Sequence, residues 1–423
     1  MVDVGTVARA GGSKEGEIRT RPVRPAYFVT EPEARCGRVM ASSPRGTGGG
    51  HPAVRTTDSY ARYMNRQRDE DANENTLAMI VQVAKDLISC PSVTGSEILV
   101  MDHVDRLLKR MGWRTERWPI KDDSRFNVFA TPTSKNPRVI FTTHLDVVPG
   151  PERLFSPEVV GGVLRGRGAC DTKGIASVMI HAADSLRREG SDDIGLLFVV
   201  GEETDSVGAQ AAVPELKRRE VSFVVNGEPT EGKLVVAQKG VFAGRVAIKG
   251  TPCHSGYPDL GIDANGFLIE LGHALRSLDF GSHPVFGLST LNLGMVRGGS
   301  AGNVVSPSAE LSFWVRTVHA AELCREPIER AARQTSLLFP GIHFDIQSQI
   351  VSDPIELLPL PGFETTVFCG GSDISYLVDS GAQILMFGPG SLLNAHTNDE
   401  HISLQELSSA YGSYRTIYRS LVS

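Results

Sequence analysis

The sequence predicts an α/β protein: a mostly parallel sheet sandwiched by helices and interrupted by a smaller, inserted α+β unit. Three observations predict this. Short apolar runs of strand length alternate with helical segments, the pattern of βαβ units. Between about 242 and 351 the order of elements changes to β-α-β-β-α-β, that of a ferredoxin-like split unit, before the α/β texture returns. Acidic and imidazole residues recur where the strands end, which is where open α/β sheets build their sites.

The elements follow in order. Residues 1–72 contain Gly-Gly-Ser, Pro-Arg-Gly and the Gly-rich Thr47–Gly50, without apolar periodicity. Three readings compete there: a disordered tail, a targeting peptide, or an upstream stretch from too early a start codon. Asp3, Glu15, Glu17, Glu31 and Glu33 count against targeting, since such peptides are poor in acids. A tail or a misassigned start is favoured, with Met64 and Met79 as alternative starts. Order begins near Asn73. Leu77, Ile80, Val81, Ala84, Leu87 and Ile88 recur at helical spacing and stop before Cys90-Pro91. A second helix runs from about Ser96, with Met101, Val104, Leu107, Leu108 and Met111 on one face and Gly112 as its stop. Val139–Thr143, Ile194–Gly201 and Ser222–Asn226 read as buried strands, with helices over Gly174–Arg188 and Val207–Arg219.

From about Val241 the inserted unit reads as a strand (Phe242–Lys249), a helix (Ala264–Leu278), two strands (Ser289–Val296, Glu310–Thr317), a helix (Ala320–Leu338) and a strand (His343–Gln349). The catalytic α/β domain is thus expected in two parts, 73–241 and 352–423, around an insert at 242–351.

Composition narrows the function. Of 423 residues 41% are hydrophobic and 22% charged, which excludes wholesale disorder. The net charge of −6 is uneven: residues 1–68 carry twelve basic and six acidic side chains, leaving the rest at −12. No domain-wide basic surface results, so nucleic acid is not an expected partner. No apolar run approaches the roughly 18 residues of a membrane helix, so a soluble protein with no membrane partner is expected. The six dispersed cysteines form neither a zinc knuckle nor a disulfide framework and read as free thiols in a reducing cytoplasm.

The chemistry-bearing residues sit at strand ends. Val139–Thr143 runs into His144-Leu145-Asp146, an i, i+2 pair that extended chain places on one side. Gly166–Gly174 contains Asp171 before a helix; Leu197–Gly201 runs into Glu202-Glu203; Val224–Gly227 runs into Glu228; and Phe387–Gly390 precedes His396. A single His-x-Asp is usually incidental, and adjacent glutamates are ordinarily a solvated pair. Their joint occurrence at successive strand ends is what points to a metal site. Mixed His/Asp/Glu donors without thiolates suit zinc, and equally cobalt or manganese. Two metals about 3.5–4 Å apart need a bridging carboxylate and further ligands for each, which His144, Glu228, Glu203, His396 and bridging Asp171 supply. Gly166-x-Gly168 lacks the third glycine of a dinucleotide loop, and neither His-Glu-x-x-His nor Gly-x-Ser-x-Gly occurs.

Over about 75–423 the chain resembles the co-catalytic zinc amidohydrolase and peptidase family that includes acetylornithine deacetylase, succinyl-diaminopimelate desuccinylase, aminoacylase and glutamate carboxypeptidase. The matching stretches are Thr143–Pro149, Gly166–Gly174, Gly201–Ala209, Asn226–Pro229, His254–Asn265, Arg297–Val304, Gly371–Tyr376 and Ala395–His401. The resemblance implies a zinc-peptidase-like fold with a dimerisation insert, His144 and Glu228 on one metal, Glu203 and His396 on the other, and Asp171 as bridge. It makes Asp146 the carboxylate that orients His144 and Glu202 the general base. His254 resembles an oxyanion donor reaching the partner subunit's site in a homodimer. Asn303 and Arg316 resemble groups holding a substrate carboxylate, and Gly388 and Gly390 backbone donors to substrate. Thr172 departs from the family's usual Met, and Gly371-Ser372-Asp373 from Gly-Thr-Asp or Thr-Ser-Asp.

The expected activity is dinuclear-zinc hydrolysis of an N-acyl amino acid or short peptide in the cytoplasm, with an acetylornithine deacetylase of arginine biosynthesis first. Succinyl-diaminopimelate desuccinylase and a dipeptidase or carboxypeptidase are the rivals. A catalytically silent dimeric binding protein would have lost ligands or base, and all seven positions are filled.

Overall fold

The structure, a computed structural model, describes residues 74–120 and 125–423, so the expectations for 1–72 and the start of order at Asn73 lie outside it. Helix α1 covers 74–88 and α2 Ile98–Arg110, burying Leu87, Ile88, Val104 and Leu108 in one core. Gly112, with φ +88°, provides the left-handed turn past the end of α2. There follow β1 (Arg114–Pro119), β2 (Phe126–Thr131) and β3 (Val139–His144), a small hairpin β4 (Glu158–Val160) and β5 (Val163–Arg165), and α3 (Lys173–Arg188). Next come β6 (Ile194–Val199), α4 (Val207–Arg218), β7 (Phe223–Asn226) and β8 (Leu234–Gln238).

The chain then builds a second sheet from β9 (Gly240–Lys249), α5 (Ala264–Arg276), a two-residue pair β10 (Ser282–His283) and β11 (Gly287–Leu288), β12 (Thr290–Gly298), β13 (Ser308–Thr317), α6 (Arg325–Ser336) and β14 (His343–Ser352). It returns through β15 (Ile355–Glu356), β16 (Thr365–Phe368), α7 (Ile374–Leu377), β17 (Gln383–Met386), β18 (His401–Ser403) and α8 (Leu404–Val422).

The large sheet runs β1-β2-β6-β3-β7-β17-β8-β15, with β16 also on β8. It is mixed rather than mostly parallel. β6, β3, β7 and β17 are mutually parallel, whereas β1, β2, β15 and the β17–β8 contact join antiparallel. The helical crossovers α3 and α4 lead from one central strand to the next and impose parallel pairing; the short β1–β2 link permits only an antiparallel return. β2, β3 and β6 are buried at every position. Both faces are covered, so β6 and the first half of β3 show apolar residues at successive positions rather than alternating with polar ones. Val139, Phe141, Leu196 and Phe198 point into the core under α1, α2, α3 and α8, while Ile140, Leu197 and Val199 point into the core under α4 and α7. Parallel pairing brings the C-terminal ends of β3, β6, β7 and β17 to one edge, which is where the polar residues collect.

The second sheet has the order β12-β13-β9-β14. One face packs Phe242, Val246, Leu311, Phe313 and Val315 against Phe267 and Leu271 of α5 and Ile328 of α6. Along β13 buried and accessible residues alternate, as in a sheet covered on one side. The Asp263 side chain caps α5 by accepting the Asn265 N–H.

Phe141 is fully buried at the centre of the large sheet, its ring centroid 5.2 Å from that of Tyr414 in α8. Phe141→Ala is expected to destabilise the fold by about 3–5 kcal/mol, read as a lowered urea midpoint. A loss under about 1 kcal/mol would contradict this packing.

Candidate metal centre

Each expected strand end delivers its side chain to the same place. His144 is the last residue of β3, and its Nε2 lies 3.2 Å from Asp171 Oδ1. His396 Nε2 lies 3.3 Å from the other oxygen of Asp171 and 2.9 Å from Glu203 Oε2. Asp171 thus faces one imidazole with each oxygen. His396 has φ +61°, a left-handed conformation uncommon outside glycine. Glu202 Oε2 stands 3.9 Å from His144 Nε2. Glu228, just beyond β7, is buried and accepts the Asn226 amide at 3.3 Å.

Two sets of donor atoms result, His144/Asp171/Glu228 and Asp171/Glu203/His396, each with its atoms within 4.8 Å of one another. Each set contains one imidazole and one unshared carboxylate, and Asp171 belongs to both. Electrostatics fit the same conclusion. Asp171 and then Glu203 hold the His396 proton, pushing its pKa up to about 10. Burial, reinforced by neighbouring carboxylates, raises Glu202 and Glu228 well above the ordinary carboxylate range. Even with both imidazoles charged, four carboxylates face two cations, an excess that divalent cations would neutralise. The residues present can therefore hold metal ions, with nitrogen and oxygen donors suited to zinc.

Asp146 sits differently from the expectation. The His144 Nδ1 partner is the backbone carbonyl of Asp146, at 3.0 Å; the Asp146 carboxylate is 3.7 Å away. That carboxylate instead accepts the backbone N–H of Glu202 on one oxygen and of Glu203 on the other, both at 3.1 Å, and the Thr94 hydroxyl at 2.8 Å. The i, i+2 geometry that places Asp146 beside His144 also turns its carboxylate toward the neighbouring strand end. Thr172, the departure from the family pattern, donates its hydroxyl to the His144 carbonyl at 2.6 Å.

Sequence reasoning missed Glu400. This buried carboxylate accepts the backbone N–H groups of Gly168, Cys170 and Asp171 on Oε1, at 2.9, 3.1 and 3.0 Å. Its Oε2 takes Nη1 of buried Arg167 at 2.7 Å, and Arg167 also donates to the carbonyls of Thr397 and Pro149. The loops of Asp171 and His396 are thereby tied together. The available signal was an acid two residues before the buried Ile402, but its partner lies 233 residues away.

The donor groups open into a cleft of about 590 Å³ whose lining includes Glu202, Glu203, Val241, Trp314, Arg316 and Ile350. Arg316 is brought to the site. Its Nη1 is buried without a hydrogen-bond partner, and burial lowers its proton affinity. His254 and Asn303 are not among the lining residues. Both are exposed near one another, where the His254 Nδ1 accepts the Gly256 N–H and the Asn303 carbonyl accepts that of Ser255. Gly388 cannot serve as the expected donor, because its N–H already bonds Thr230 Oγ1 at 3.0 Å. It is glycine for packing: a Cβ there would lie 2.4 Å from the Glu228 carbonyl oxygen. Gly390 (φ +82°) backs onto Cys170 and lies outside the cleft lining.

Residues 140–420 match the model of Peptidase family M20/M25/M40. A peptidase M20 domain-containing protein of Schizosaccharomyces pombe is 33% identical over 344 residues, covering 79% of this chain and 83% of that protein. An Aspergillus clavatus protein named "Probable carboxypeptidase" is 32% identical over 370 residues, covering 79% and 81%. Among solved structures, a tripeptidase from Staphylococcus aureus superposes with a TM-score of 0.69 at 18% identity, covering 81% of this chain and 99% of that one.

If Glu400 holds the Asp171 loop in place, Glu400→Gln, which leaves Arg167 without its counter-charge, should weaken metal binding about 10-fold or more. Equilibrium metal titration measures this, with the urea midpoint of the metal-free protein recorded in parallel. Unchanged affinity would separate Glu400 from the metal centre.

Proposed function

The chain belongs to the M20/M25/M40 peptidase family, and from that premise we propose that it is a dinuclear zinc exopeptidase cleaving the amide bond next to a free carboxylate in dipeptides and short peptides. The observation that carries this is Arg316, a half-buried side chain whose buried Nη1 is left without a partner in the same cleft as the two donor sets. Among the described residues the charged carboxylates lining that cleft are Asp171, Glu202, Glu203, Asp205 and Glu228, and none pairs with Arg316. A planar fork left unpaired is suited to a substrate carboxylate. The peptide reading takes precedence over N-acetylornithine because the relatives just described are named as peptidase or carboxypeptidase. The deacetylase remains the alternative, as its substrate also carries a carboxylate near the scissile amide.

In this reading His144, Glu228 and Asp171 hold one ion and Glu203, His396 and Asp171 the other, zinc being preferred and cobalt or manganese compatible. When bound, the ions polarise the scissile carbonyl and make water a stronger nucleophile. Glu202 takes the proton of the attacking water and delivers it to the departing amine nitrogen. Asp146 holds Glu202 in place through its backbone N–H. Arg316 fixes the carboxylate end of the substrate, so that the amide is presented to Glu202 in one register. His254 and Asn303, exposed and outside the cleft, are assigned to completing the site of a second copy in a homodimer, with the β9–β14 segment as dimerisation insert.

Glu202→Ala should lower kcat/KM by roughly 100-fold or more with full metal content retained; unchanged turnover would remove Glu202 from proton transfer. Chelation should abolish activity and zinc, cobalt or manganese restore it. In a panel of dipeptides, their C-terminal amides, N-acetylornithine and N-succinyl-diaminopimelate, the free dipeptides should be cleaved and the amides refused. Turnover of N-acetylornithine alone would select the deacetylase. Sedimentation should give a dimer, with His254→Ala reducing kcat; a fully active monomer would overturn that assignment.

A further inference from the structure

The open face of the second sheet forms one wall of the cleft, and its strand register sets two rows of side chains beside each other. Arg316 pairs with Val241 and Val241 with Ser352; Trp314 pairs with Ala243 and Ala243 with Ile350. Directly paired residues share a face of the sheet, and this is the face opposite the core residues Phe313, Val315 and Phe242. The first row carries the unpaired guanidinium. The second is a shallow trough between an indole and a branched aliphatic chain, with Ala243 buried beneath them at 2% exposure.

A β-bulge creates the second row. Between Ser348 and Ile350 the register of β14 against β9 shifts, so that Ile350 rather than Gln349 stands opposite Ala243. Bulges commonly re-aim one side chain beside a site. Trp314 and Ile350 remain 37% and 42% accessible, and Tyr376, on the cleft's other wall, 38%. Large apolar groups gathered beside a cationic anchor within a largely polar cleft suit an amino acid with an apolar side chain and a free carboxylate. The Arg316 Cζ lies 5.4 Å from the Trp314 ring centroid, and the two residues are one pleat repeat apart, about 7 Å along the strand. A carboxylate and an apolar side chain on the same amino acid can span that separation. Most of the remaining ionisable groups of the lining are acidic, Asp205 and Glu203 among them, which disfavours an acidic side chain there.

We propose that Trp314 and Ile350, side by side above the buried Ala243, form a specificity subsite for an apolar, above all aromatic, C-terminal residue whose carboxylate is held by Arg316; this rests on the exopeptidase reading above. The subsite is formed within one chain, because all four residues belong to adjacent strands.

The test uses the full-length, zinc-loaded protein and compares kcat/KM for Gly-Phe, Gly-Leu, Gly-Gly, Gly-Lys and Gly-Asp. Burying a ring in the trough predicts Gly-Phe over Gly-Gly by about 10–100-fold, with Gly-Asp poorest. In Trp314→Ala the Gly-Phe/Gly-Gly ratio should fall at least about 10-fold. Ile350→Ser should lower it in the same direction, which reads the subsite independently if the first variant fails to fold. A ratio near one in the parent, a preference for Gly-Lys or Gly-Asp, or variants that lower both substrates equally would each overturn the subsite and leave the exopeptidase reading standing. No turnover of any dipeptide would overturn both.

Discussion

The site depends on where the backbone of the Asp171 loop is held. One oxygen of Glu400 receives three loop N–H groups, those of Gly168, Cys170 and Asp171, and the other is pinned by Arg167, which reaches the His396 loop through the Thr397 carbonyl. Charge-assisted bonds in a buried setting are strong and directional, and removing either partner leaves the other uncompensated. Asp171 can therefore offer one oxygen to each imidazole without adjusting its own position. A carboxylate shared by two ions needs that restraint, because a small displacement changes both donor sets together.

Asp146 performs the matching task on the other strand end. Its two oxygens take the N–H groups of Glu202 and Glu203, so a residue of the β3 end sets the height of a proposed base and a proposed ligand at the β6 end. Parallel pairing of β3 with β6 makes the contact possible. Glu202 and Glu203 then diverge, one toward His144 and the other toward His396. Two abutting glutamates thus belong to separate partners, which relieves their mutual repulsion.

The cleft joins two unlike surfaces. The large sheet supplies carboxylates and imidazoles from the loops at its parallel strand ends, and the four-stranded sheet lends the cleft Arg316 and exposed apolar groups from its open face. The donor groups and the proposed recognition face are thereby carried by different elements, so the face bearing Trp314, Arg316 and Ile350 can change without disturbing the donors.

Much of the fold was legible in the sequence. The central strands were visible as continuous apolar runs, since a strand buried on both faces has no polar alternation, and the order of the second sheet followed from its helix and strand periods. The antiparallel margins were not, because the sequences of β1 and β8 mark no direction of pairing. Among the site residues, His144, Asp171, Glu202, Glu203, Glu228 and His396 were legible as strand-end polar groups, and the structure brings them together. Gly388 was misread because the same Gly-Pro-Gly serves either to present an amide or to let two backbones approach.

What the sequence by itself determined is the inventory: which donors exist and at which strand ends they stand, since the twofold period of a strand and the breaks between apolar runs are local. What only the tertiary structure decided is who holds whom. That Glu400 cages the Asp171 loop, that the Asp146 carboxylate serves Glu202 and Glu203 rather than His144, and that Ile350 stands beside Ala243 all depend on contacts between distant segments or on a one-residue register shift. Local pattern carries no information about such pairings, because a carboxylate or a strand reads the same whichever partner it meets.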